Sequence, residues 1–480
     1  MQKGYILSLE SDAWLFHADL LVDKAHVVML EERGIISSED AAAILNGLAK
    51  IAARGRDFVE RELPAYEDVH TAVESVLIRE IGEEVGGRMH TGRSRNDEVA
   101  TCIRIAVRDE LLGLAEEVNK LRRALLKRAA ENVETVLPGY THLQHAQPTT
   151  LAHHLLAHAD AFARDFARLE DAYGRVNACP LGAAAFASTG FPIDRERTAE
   201  LLGFDAVLEN SMDAVSTRDF VVETVSCYAN LGTNLSRLAE EVILWSSAEF
   251  GFVRLPADYA TGSSIMPQKR NPDYAELVRA RAGTVFGCLV AVLSICKALP
   301  YAYNRDLQEV TPHLLRAAKT TAASVAVVRG VVAGQEFREE EMRRQAEVDF
   351  TTATELADTL VRETGVPFRT AHKIVASLAS AERGRPSLRK IDEFATCVAG
   401  KRLSELGLTE EKVKEALEIA SNIEKREVKG GPAKKEVLRM LQARRSDLEV
   451  DERSRVAKEV KVKRRLEELE REVEKKRIMP

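Results

Sequence analysis

Residues 262–273, GSSIMPQKRNPD, interrupt long helical runs with a glycine, two serines, two prolines, a lysine and an asparagine. Such a stretch cannot continue a helix. It can turn backbone N–H groups toward an anion, with Lys269 adding a positive charge and Asn271 a donor. The spacing is not the GxxxxGK[ST] of a phosphate-binding loop, and no GxSxG surrounds Ser263 or Ser264. What suits the loop is a carboxylate whose charge grows during a reaction. A solvated loop with incidental serines would use the same residues.

Two further breaks carry polar side chains. PGYTHLQHAQPT, at 138–149, offers Thr141, His142, Gln144 and His145. Histidine titrates near neutrality and is the natural proton carrier. His142 and His145 lie three apart with no cysteine and no HExxH nearby, so no metal site is expected there. His153, His154 and His158 fall inside the next helical run, where packing or surface roles outweigh ligation. MHTGRSRNDEVA, at 89–100, sets Arg93 and Arg95 around Ser94, followed by Asn96. Guanidinium, hydroxyl and amide groups suit bidentate carboxylate recognition, and a salt-bridged helix start is the other use of the same residues. Together the three breaks describe a site for an oligoanionic small molecule, with acid–base groups and no cofactor fingerprint.

Long helices must position these breaks. From Glu98 the chain runs about 35 residues with apolar positions every three or four, up to Pro138-Gly139. Similar runs cover 149–178, 213–250, 274–298 and 312–333. Their apolar residues occupy more than one face, as in GTVFGCLVAVLSICKAL, so an extended bundle buried against sister subunits is expected. Strand signals are nearly absent. The reading is all-α, with an N-terminal helical domain at 1–97, a central long-helix bundle at 98–344 and a C-terminal helical domain at 345–480. Ile36-Ser37-Ser38-Glu39-Asp40 reads as a helix start. In the charged tail Val462, Leu466, Leu469 and Val473 predict a helix with a narrow apolar stripe.

Composition excludes several classes. A net charge of −7 in 480 residues gives no basic face for nucleic acid. No signal peptide is visible at MQKGYILSLESD, and no window approaches 18 uninterrupted apolar residues, so no membrane span is expected. The six cysteines form no CxxC pair and read as ordinary thiols of a reducing cytoplasm.

The three segments together resemble the fumarase/aspartase superfamily, whose members share a GSSxMPxKxNP loop. TGRSRND, THLQHAQPT and the Gln268-Lys269-Arg270 form of the loop resemble its argininosuccinate lyase/delta-crystallin branch, over essentially the whole chain. The resemblance implies reversible cleavage of argininosuccinate to arginine and fumarate, the last step of arginine biosynthesis. It also implies a cytoplasmic homotetramer with active sites shared between subunits, and no cofactor or metal. Carried over, Ser263 is the general base, Lys269, Asn271 and loop amides stabilise the charge it creates, and His142 held by Glu276 assists proton delivery to the leaving nitrogen. Ser94, Arg95, Asn96 and Thr141 match positions around the fumarate half, and Met266 and Gln268 belong to the loop. His70, in EDVHTAVE, matches a further site residue. Ser8 and Asp12 match the arginine half, as do Tyr303 and Gln308. Where many members carry a substrate-binding lysine, this chain reads Val310-Thr311, with His313 and Arg316 as candidate replacements.

Overall fold

A computed structural model of the chain describes residues 7–381 and 385–478. Three helices open it: α1 (Leu9–Glu32), α2 (Ser38–Arg54) and α3 (Val69–Ile81). Ser37 caps α2 by accepting the Asp40 N–H, and Asp68 caps α3 by accepting the Thr71 N–H. Five long helices follow, α4 (Arg95–Glu131), α5 (Leu151–Val176), α6 (Asp219–Ser246), α7 (Asp273–Cys296) and α8 (Val310–Gly334). They are the five runs expected from the sequence. α4 packs on α5 and α8, and α7 lies between α6 and α8.

Ser94 starts α4 with a reciprocal cap: its hydroxyl accepts from the Asn96 N–H while the Asp97 carboxylate accepts from the Ser94 N–H, at 2.9 Å. The other oxygen of buried Asp97 accepts the N–H groups of Gly182 and Ala184, both at 2.8 Å. One carboxylate thus fixes both the start of α4 and the loop that crosses it.

The break at 138–149 is a β-hairpin, which the helical reading did not anticipate. β1 (Val136–Thr141) pairs antiparallel with β2 (Gln144–Thr150), with Thr141 opposite Gln144, so His142 and Leu143 alone make the turn. Both have φ of 57°, the left-handed conformation that two-residue hairpin turns require and that asparagine and glycine usually supply. His-Leu is not a turn signal, which is why the hairpin was invisible. A bulge between Pro138 and Tyr140 lets the strands close where Gly139 meets Gln147. A Cβ on Gly139 would sit 2.4 Å from the Gln147 carbonyl oxygen. Gly139→Ala is therefore expected to cost about 1–3 kcal/mol, read as a lowered thermal midpoint.

A second hydrophobic cluster spans Leu356 to Leu417, on four short helices from Ala353–Thr364 to Glu410–Leu417. The last helix, α9 (Lys434–Ile478), leaves that cluster and runs along α1, α2, α4 and α5. Its stripe is as expected: Val462, Leu469 and Val473 are buried and Leu466 is partly so. Bidentate Arg444–Asp160 contacts at 2.8 Å and an Arg122–Asp451 pair at 2.6 Å fix its register.

Helix α7 differs from the others. Averaged over its most apolar 18 residues, mean hydropathy reaches 1.6, and only 28% of that stretch is buried. Thr284 and Ser294 interrupt its apolar run, so it holds no 18 uninterrupted apolar residues despite that average. By length and composition α7 is apolar enough to cross a bilayer, yet one side of it packs against α6 and α8. Its outer side exposes Leu277, Phe286, Val290 and Leu293.

Candidate active site

A cavity of about 140 Å³ lies where α1, the cap of α3, the start of α4 and the segment before α8 converge. It brings together seven residues named from the sequence: Ser8, Asp12, His70, Arg95, Asn96, Tyr303 and Gln308. Asp12 is buried and accepts from the Ser8 hydroxyl at 2.6 Å and the Val69 N–H at 3.2 Å. Burial nevertheless raises its pKa to about 6.

His70 backs the cavity and meets Asp19 with Nδ1 at 2.6 Å. Burial alone would strip its second proton, but Asp19, Glu98 and Asp68 outweigh that and push the imidazole up to about 10. It is therefore an imidazolium at neutral pH. Behind it Asp23, Glu98 and Arg93 form a buried ionic cluster, with Arg93 at 2.5 Å from Asp23 and 3.2 Å from Glu98. Arg93 thus faces inward, and of the two arginines in GRSRND only Arg95 reaches the cavity.

Sequence reasoning missed Asp19, Asp68 and Arg218. Asp68 accepts from both the N–H and the hydroxyl of Thr71 and from Arg95 Nη1 at 2.8 Å. Its signal was present in EDVHT as a helix cap two residues before His70. Asp12, Asp19 and Asp23, spaced seven and four apart, lie along one face of α1 and are all buried. That pattern was legible too. Arg218 was not: it is brought in from the start of α6, buried, with Nη1 donating to the Thr217 carbonyl at 2.9 Å. Among the described residues its Nε and Nη2 have no acceptor. Arg218 is therefore a cavity-lining guanidinium with two unpartnered nitrogens, a group chemically suited to a carboxylate.

Thr311 lines the cavity as well, whereas neither His313 nor Arg316 does. Arg95, Arg218 and Arg305 stand at its wall beside the His70 imidazolium.

The remaining sequence-named residues lie elsewhere in the chain. Ser94 spends its hydroxyl on the cap. Thr141 and His142 stand exposed at the hairpin tip, and Glu276 is exposed on the first turn of α7. Among the described residues neither His142 nor Glu276 has a side-chain hydrogen bond or ion pair, so one chain does not join them. The loop 263–269 is closed by a short ladder, Thr261 opposite Asn271 and Gly262 opposite Arg270. Inside it the Ser263 hydroxyl oxygen accepts the N–H groups of Ile265 at 3.3 Å and Met266 at 3.0 Å. Lys269 Nζ donates to Asn271 Oδ1. Gln268 lines a separate groove with Arg254, Arg270 and Arg338, and Met266 is exposed.

Comparison with known proteins fits this geometry. A family described as Lyase matches residues 7–287, and one described as Argininosuccinate lyase C-terminal matches residues 350–424. Argininosuccinate lyase of Methanosarcina barkeri is 57% identical over 447 residues, covering 93% of this chain and 90% of that one. The chain belongs to the argininosuccinate lyase family. The argininosuccinate lyase of Methanosarcina mazei is 56% identical, with the same coverage of both chains. Among solved structures, EDDS lyase in complex with formate is 34% identical, with a TM-score of 0.88 over 97% of this chain and 92% of that one. Members of the argininosuccinate lyase family are carbon–nitrogen lyases. Their C-terminal match at 350–424 coincides with the separate hydrophobic cluster from Leu356 to Leu417.

Proposed function

We propose that the chain cleaves argininosuccinate reversibly to arginine and fumarate. The observation that carries this reading is the charge pattern of one cavity, lined by buried Asp12, the Asp68–Arg95 ion pair and the unpartnered guanidinium of Arg218. Such a wall suits a ligand carrying both an ammonium and carboxylates. Ser263 takes the proton from the carbon beside a succinyl carboxylate, and the C–H pair moves into that carboxylate. Lys269, Asn271 and loop amides hold the added charge. The pair then forms the carbon–carbon double bond as the C–N bond breaks. His142, oriented by Glu276, helps return a proton to the departing nitrogen. Thr141, Met266 and Gln268 complete the substrate contacts. A serine is a poor base, and the two N–H groups aimed at its oxygen support the charged form.

The site is assembled in a cytoplasmic homotetramer, whose core is the 98–344 bundle. The test is ultraviolet absorbance of purified protein with argininosuccinate, and with adenylosuccinate in parallel. Fumarate appearing from argininosuccinate alone is the expected result. Fumarate from adenylosuccinate alone overturns the substrate, and none from either overturns the enzyme.

Asp12 makes the substrate's affinity pH-dependent. Its raised pKa leaves it ionised above about 6 and neutral below, so the attraction for an ammonium is lost as pH falls through that value. KM is expected to rise as pH drops from 7 to 5. In Asp12→Asn, KM should be high throughout and lose this inflection.

A further inference from the structure

His154 and His158 lie four apart, on one face of α5, and both aim Nε2 at the same atom of α6. Glu241 Oε2 accepts from His154 at 2.6 Å and from His158 at 2.7 Å. All three candidate ligand atoms lie within 4.8 Å of one another. The spacing of the two histidines alone favoured packing roles. The third partner, 83 residues beyond His158 in sequence, changes that reading.

We propose that His154, His158 and Glu241 form a binding site for a divalent transition cation of the zinc class, tying α5 to α6. Two imidazoles and one carboxylate are a borderline-soft donor set that suits Zn²⁺, Co²⁺ or Ni²⁺ over Mg²⁺ or Ca²⁺. A tetrahedral cation at ordinary bond lengths would hold its ligands about 3.3 Å apart, so Glu241 must swing back from the rings and each imidazole must carry its proton on Nδ1, from ligand atoms that start within 4.8 Å of one another. The Glu241 side chain is 32% exposed and can do so, and the same exposure gives a cation and one water an entry. Trp245, one turn further along α6, sets its indole 5.0 Å from the His154 ring at an interplanar angle of 45° and gives the site an optical reporter.

The test uses the full chain freed of metal by a chelator, and reads binding rather than turnover. Zn²⁺ titrated by calorimetry is expected to bind at one equivalent per chain and to raise the thermal midpoint. Co²⁺ should give a tetrahedral visible spectrum without a thiolate charge-transfer band and should quench Trp245. His154→Gln and Glu241→Gln should each weaken Zn²⁺ by more than about 100-fold, beyond the loss of a mere supporting group. Their metal-free melts and circular dichroism should match the parent. Absence of binding in the parent overturns the site. Affinity unchanged in both variants, or a thiolate band, places the metal elsewhere and overturns it equally.

Discussion

Ser263→Ala is expected to lower kcat by about 10²–10⁴-fold while leaving KM within a few-fold, because it removes the base and little of the binding surface. The neighbouring hydroxyl is the control. The N–H groups of Ile265 and Met266 both converge on the Ser263 oxygen. Those dipoles lower the cost of negative charge on that oxygen, so the two serines are chemically unequal though adjacent. Ser264→Ala should keep most of the turnover. Steady-state fumarate release from both variants, with substrate affinity measured by calorimetry, separates base from binding. Full turnover in Ser263→Ala, or equal losses in both variants, would remove Ser263 from the base role and move attention to His142.

The fold was legible where period and capping agree. All five long runs appear as helices, because an amphipathic repeat of that length has one inexpensive conformation. The hairpin was not, since its turn is His142-Leu143 and local sequence favours neither residue with positive φ. Only the surrounding structure holds them there, and the result is a histidine held clear of the helical bundle.

The site was legible by halves. Named segments supplied Asp12, His70 and Arg95, but not the direction in which each side chain turns. Arg93 and Arg95 are two residues apart, and only the first meets the buried carboxylates of Asp23 and Glu98. Arg218 had no local signal because its role depends on α6 beginning beside the cavity. A buried charge announces itself in sequence only when its partner is close in sequence as well.

Val290→Asp on α7 is expected to dissociate the assembly and, with it, to abolish turnover. Val290 is 63% exposed in one chain, between Phe286 and Leu293 on the same stripe. A stripe of that size on a helix otherwise fit for an apolar environment calls for a cover, and sister copies of α7 are the cover that the proposed homotetramer would supply. An uncompensated carboxylate buried there costs several kcal/mol per copy, and symmetry repeats the cost at every copy. Loss of activity should accompany loss of assembly because a single chain keeps its acid–base groups apart. The residues lining the Asp12–His70 cavity do not include His142, Ser263, Lys269 or Glu276. Sedimentation and kcat measured on the same samples decide the matter, with Val290→Leu as the variant that keeps the stripe apolar. A Val290→Asp protein that stays assembled would mean that α7 is covered otherwise. One that dissociates yet turns over at the parent's rate would mean that each chain carries a whole site, and the shared-site reading would fall.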